Sequence, residues 1–204
     1  MAESSHSRSA QCKDQGGFTS ASSRRNVVLA QDLTVLVAHN MVVLRELRDS
    51  DLEALVTLAN NETVSRYLVY TFPYPYTKSD GEWWISTGSK QNGAITRVIE
   101  YEGQFVGNVG ISPQGGWRNH LAEIGYWVAE EHWHKGLATA ALAQMTDYGF
   151  TSLQLQKLYA PVLAPNIASM RVLEKCGYAI EGIFKAEVQK QGIYFDIHQY
   201  ARHQ

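Results

Sequence analysis

The chain has 204 residues, 45% of them hydrophobic and 19% charged, with a net charge of −2. That length suits one domain plus a tail, and the composition is that of a globular protein able to bury a real core. The near-neutral balance argues against nucleic acid as a partner, and no apolar run approaches the length that spans a bilayer.

Residues 1–26 are rich in Ser, Gly, Gln and Arg and show no apolar period, so they read as a disordered tail. Arg24-Arg25 ahead of Val27-Val28-Leu29-Ala30 has the opening of a signal peptide, but Gln31 and Asp32 interrupt the apolar run. Leu33–Ala38 has the pattern of a short strand that His39-Asn40 would turn back onto Met41–Leu44. The expected organisation is a tail over 1–38 and one domain over 39–204. The two cysteines, Cys12 and Cys176, are expected unpaired, which suits a reducing cytosol. Cys176 reads either as a lone nucleophile or as a small residue packed at a helix end.

The domain opens with a strand over Val42–Arg45, then a helix carrying Leu52, Leu55 and Leu58, capped by Asp49 or by Ser50 with Glu53 closing a capping box. Val64–Leu68 reads as a second short helix. Thr71–Thr77 holds two prolines and three aromatic rings, which forbids helix and interior strand. This loop either walls a pocket or packs over a sheet edge. Thr77 or Ser79 then caps a helix bearing Trp83, Trp84 and Ile85. Ala94–Tyr101 and Gln104–Ile111 are strands joined by a tight Glu102-Gly103 turn, and a Gly-rich loop covers 113–120.

A strand follows from Glu123, with Ile124, Tyr126 and Val128 alternating against Gly125 and Trp127. A polar turn leads to Gly136, where a helix begins and runs to about Phe150. Helix N–H groups without partners and the positive end of the dipole suit that start to phosphate or pyrophosphate; otherwise it is a tight strand-to-helix turn and nothing more. Lys157–Val162 is a further strand, Pro165–Cys176 a helix ended by Gly177, and Tyr178–Glu187 with Ile193–Tyr200 a closing hairpin around Gln191-Gly192. Hairpins first and alternation with helices later predict an α+β fold: a mixed, mostly antiparallel sheet of about seven strands with about four helices.

The run Trp133-His134-Lys135-Gly136-Leu137-Ala138-Thr139 resembles the acetyl-CoA pyrophosphate loop of the GNAT acetyltransferases, in the form of their RimJ/RimL subgroup. His134 stands where that pattern has its first glycine. Asn166–Tyr178 is similar to the subgroup's Asn-x-x-Ser helix with its closing Lys-x-Gly-Tyr, and the likeness runs in order from about residue 41 to 202.

The resemblance implies acetyl transfer from acetyl-CoA to a primary amine by direct attack, without metal and without a covalent enzyme intermediate. The acceptor would be a small amine or a protein N-terminus, handled by a monomer or homodimer in the cytoplasm. The alternative is a non-catalytic acyl-CoA-binding sensor or scaffold. Glu123 would take the amine proton, or is a solvent-facing strand carboxylate; Glu187 in the closing hairpin is the second candidate base. Backbone amides of Trp127 and Val128 would hold the thioester oxyanion. Many relatives use a tyrosine to assist the departing thiolate. Leu173 occupies its place here, so Ser169 inherits that role. Lys135, Gly136, Leu137, Ala138 and Thr139 would hold the pyrophosphate, and Asn166, an N-cap by its own chemistry, a ligand amide. His132 and His134 are loop imidazoles, too few in ligands for a metal site.

Overall fold

Two of the hairpins are set by two-residue turns whose residues both take positive φ, the geometry that matches strand twist. Glu102 (φ 52°) and Gly103 (φ 77°) join β2 (Ile95–Tyr101) to β3 (Gln104–Pro113). Gln191 (φ 51°) and Gly192 (φ 79°) join β6 (Ala179–Lys190) to β7 (Ile193–His203). The computed structural model describes residues 41–68 and 72–204. The tail and the strand expected at Leu33–Ala38 lie outside the described residues.

With β1 (Val42–Arg45), β4 (Leu121–Val128) and β5 (Lys157–Leu163), these strands form one sheet in the order β1-β2-β3-β4-β5-β7-β6. Every neighbouring pair is antiparallel except β4 and β5. Five α-helices occur among the described residues: α1 (Leu52–Ala59), α2 (Glu62–Ser65), α3 (Lys78–Ser86), α4 (Leu137–Thr151) and α5 (Ile167–Lys175). The fold is the mixed α+β arrangement expected.

Strand alternation sorts the side chains into two cores. On one face Ala122, Ile124 and Val128 of β4 pack with Leu137, Ala141 and Met145 of α4 and Leu173 of α5. On the other, Val98 and Phe105 pack with Leu55 of α1, Ile85 of α3 and Tyr76, and Trp127 joins from β4. The proline-aromatic loop therefore packs: Phe72 lies 5.3 Å from the Tyr76 ring and 5.6 Å from Trp127. Tyr74, 52% exposed, stays outside this cluster.

The start of α1 differs from expectation. A short 3₁₀ turn over Asp49–Asp51 comes first, and the Asp51 carboxylate, not Ser50 with Glu53, accepts the Arg48 N–H at 2.8 Å. Asp51 is chosen because Arg45 grips both its oxygens at 2.8 Å while also bonding Glu100 of β2. The second helix also starts earlier than its apolar residues suggested, because the Asn61 side chain caps the Thr63 and Val64 N–H groups. Asp51 is buried, so Asp51→Ala removes a cap and half the neutralisation of a half-buried guanidinium. It is expected to cost about 3 kcal/mol and to lower Tm by roughly 6–12 °C. Thermal melts of Asp51→Ala beside wild type check this; a shift under about 2 °C would refute it.

Candidate active site

The sheet opens in its middle. Strands β4 and β5 pair only from Leu121–Glu123 to Lys157–Tyr159, yet β4 runs on to Val128 and β5 to Leu163. The far side of β5 stays paired with β7 along its whole length. Beyond Glu123 the two strands therefore splay apart. At about 3.3 Å per residue, the five residues to Val128 give the gap a length of about 17 Å. Backbone donors and acceptors that face such a gap need partners.

The register identifies them. In an antiparallel ladder every second residue exchanges hydrogen bonds with its neighbour strand. Leu121 accepts from Gln114, and Ala129 donates to Val106, so the odd-numbered residues of β4 bond toward β3. Tyr126 and Val128 thus turn their amides to the gap. Trp127, expected as an oxyanion donor, turns its amide to Asn108 of β3 instead, and contributes its ring to the aromatic wall. A two-residue alternation decides this, and the direction of the ladder bonds is not readable before the pairing is known. The Val128 carbonyl accepts the Trp133 indole N–H at 2.7 Å, which pins the turn that follows.

That turn leads to the open end of the gap. His134 (φ 61°) and Gly136 (φ 78°) both take the left-handed conformation, and Gly136 is the N-cap of α4 without any side-chain cap. The first helical bond runs from Ala140 N–H to the Gly136 carbonyl at 3.0 Å. The N–H groups of Leu137, Ala138 and Thr139 therefore lack partners within the helix. Alternating backbone conformations ahead of a helix make an anion-binding concavity. His134 accordingly meets the backbone demand that glycine meets more cheaply, at a strain of about 1–2 kcal/mol. Leu137 and Thr139 bury their side chains, so only their amides are offered. The exposed Lys135 ammonium lies 3.4 Å from His132 Nδ1 and over the Tyr101 ring.

Glu123 sits at the closed end of the gap, the last residue of β4 paired with β5. Burial raises its carboxyl pKa above the usual range, opposed by a hydrogen bond from the Tyr159 hydroxyl. The Arg118 guanidinium stacks over the Tyr159 ring, 5.7 Å from its centroid. Beside Glu123 on the same sheet face, Gly125 is exposed and a Cβ there would meet nothing within 4 Å. Solvent thus reaches the floor of a central strand next to a half-buried carboxyl.

From α5, Asn166 accepts the Ser169 N–H at 3.1 Å, which shows the capping role and leaves its NH2 group unused in the cap. Ser169 Oγ lies 3.0 Å from the Tyr126 hydroxyl, so the helix start and β4 meet across the gap. Glu187 is exposed in the bulged part of β6 between Phe184 and Val188. Cys176 is buried, with Sγ directed to the Thr139 carbonyl at 3.4 Å and its pKa pushed by burial up to about 11. It packs and does not attack. Among the described residues no group of three or more His, Cys, Asp or Glu is placed to hold a metal ion.

A family model described as an acetyltransferase (GNAT) domain matches residues 41–179. The chain belongs to the GNAT acetyltransferases. As a GNAT enzyme it is an acetyl-CoA-dependent N-acetyltransferase of RimJ/RimL type. An N-acetyltransferase of Bacillus subtilis (strain 168), YoaA, is 28% identical over 174 residues, covering 78% of this chain and 92% of its own. The structure of Mycobacterium smegmatis RimJ with CoA-disulfide superposes with a TM-score of 0.71 at 29% identity, covering 79% of this chain and 81% of that one. Spermidine N-acetyltransferase from Vibrio cholerae, solved with CoA and spermine, gives a TM-score of 0.70 at 27% identity over 81% of this chain and 96% of that one.

Sequence reasoning passed over Tyr126, Tyr159 and Arg118. Tyr126 carried a signal, since a tyrosine on the core face of a strand needs a partner for its hydroxyl. Tyr159 and Arg118 carried none, because their nearness to Glu123 arises from the parallel β4–β5 pairing and the loop before β4.

Proposed function

We propose that this GNAT enzyme binds acetyl-CoA in the gap between β4 and β5 and passes the acetyl group to a primary amine by direct attack. The observation that carries this is the splayed sheet centre, with a half-buried carboxyl of raised pKa at its closed end and the bare N-terminus of α4 at its open end. The pyrophosphate lies on the amides of Leu137, Ala138 and Thr139 beside Gly136 and Lys135. The pantetheine arm runs down the gap and meets the NH2 of Asn166. The Val128 amide holds the oxyanion, Glu123 takes the amine proton, and Ser169 hydrogen-bonds the departing thiolate. A raised pKa suits Glu123 to the task, because a base works best when its pKa lies near the working pH.

The acceptor is a small amine or a protein N-terminus in the cytosol, as the spermidine and ribosomal N-acetyltransferases among its relatives suggest. Free-thiol release measured across polyamines, N-terminal peptides and aminoglycosides is expected to single out one class with saturable kinetics. Thiol release at the level of uncatalysed hydrolysis with every amine would overturn this reading.

A further inference from the structure

We propose that Tyr126 is a positioning residue for the leaving thiol: its hydroxyl holds the Ser169 side chain so that the serine O–H points at the sulfur of CoA. This rests on the role given to Ser169 above. The Tyr126 hydroxyl stands 3.0 Å from Ser169 Oγ and 3.2 Å from the Ser169 carbonyl. The Ser169 backbone is already held through its N–H by Asn166. What stays undecided is the rotation of one hydroxyl, and Tyr126 is placed to decide it.

A serine hydroxyl donates one hydrogen bond and accepts up to two. The Ser169 carbonyl lies in the first turn of a helix, where it has a helix N–H as partner. Once a thiolate forms in the gap, one arrangement satisfies all three groups. Tyr126 donates to Ser169 Oγ, and Ser169 donates to sulfur. Hydrogen bonds in such a chain strengthen one another, so the tyrosine makes the serine a better donor. A phenylalanine would fill the same space without this effect.

The electrons balance without a proton leaving the tyrosine. The amine nitrogen forms a bond to the thioester carbon, and the amine proton goes to Glu123. The C–S bond then breaks and its electron pair stays on sulfur, as a thiolate that later takes a proton from water. Burial pushes the Tyr126 phenol well above its ordinary value, so it stays protonated and acts as a fixed donor. The groups facing it are Ser169, Cys176 and Tyr178, and burial raises both the Cys176 thiol and the Tyr178 phenol out of the working range.

The test compares Tyr126→Phe, Ser169→Ala and the double variant, with turnover at saturating substrates and acetyl-CoA affinity by calorimetry. Tyr126→Phe is expected to lower kcat about five- to tenfold with affinity unchanged, as for one hydrogen bond. The double variant should be no slower than Ser169→Ala, because without the serine the tyrosine has nothing to aim. Losses that multiply, or a Tyr126→Phe enzyme at wild-type speed beside a slow Ser169→Ala enzyme, would defeat the inference and leave the role of Ser169 standing. Ser169→Ala at wild-type speed would remove both. Should Tyr126→Phe not fold, difluorotyrosine at position 126 keeps the ring and the O–H but ionises at lower pH. Activity is then expected to fall at a lower pH than in the unmodified enzyme, and an unchanged profile would overturn the proposal.

Discussion

Glu123→Gln is expected to lower turnover about a hundredfold or more while acetyl-CoA affinity stays near wild type. The substitution keeps the shape of the side chain at the closed end of the gap and removes its ability to take a proton. The remaining activity should shift toward high pH, where more of the acceptor amine is already neutral. Stability should move the opposite way. Burial disfavours the charged carboxylate, so the folded protein holds this proton more tightly than the unfolded chain does. Stability from this group therefore falls as pH rises from the unfolded carboxyl's pKa through the raised folded one, and the loss persists above it. Glu123→Gln should melt higher than wild type at pH 7 and level with it at strongly acid pH. Steady-state kinetics over a pH series, with melts on the same samples, read both. Wild-type turnover with an unaltered profile would retire Glu123 and turn attention to Glu187.

Gly136→Gln is expected to weaken acetyl-CoA binding by at least about tenfold. Gly136 holds φ 78°, a conformation that costs a side-chain-bearing residue about 1–2 kcal/mol. The added side chain also stands beside the amides of Leu137 to Thr139, where the proposed site would hold the pyrophosphate. Calorimetry on the folded variant measures the loss, and circular dichroism separates it from unfolding. Unchanged affinity in a folded Gly136→Gln protein would displace the phosphate site from the start of α4.

Much of this enzyme was written in short stretches of chain. The Gly136 helix start, the Asn166 cap and the two positive-φ hairpin turns are local devices. Their chemistry needs only neighbours a few residues away, so residue type and spacing determined them. The alternation of β4 likewise determined that Tyr126 and Val128 share one face and Glu123 and Trp127 the other. What alternation left open was which amides face which neighbour. That depends on strand order, which turns the Trp127 amide to β3 and leaves, of the two amides expected at the thioester, that of Val128 facing the gap. The gap itself arises because β5 follows β7 and leaves β4 after three residues, and no local pattern records where two strands part. The same holds for the contacts around Glu123 and Ser169. Burial by distant chain raises the pKa of Glu123, Tyr159 reaches it only through the parallel pairing, and Tyr126 meets Ser169 across 43 residues of sequence. Local hydrogen bonding and periodicity act over one or two turns of chain, whereas desolvation and long-range pairing exist only once the sheet has closed.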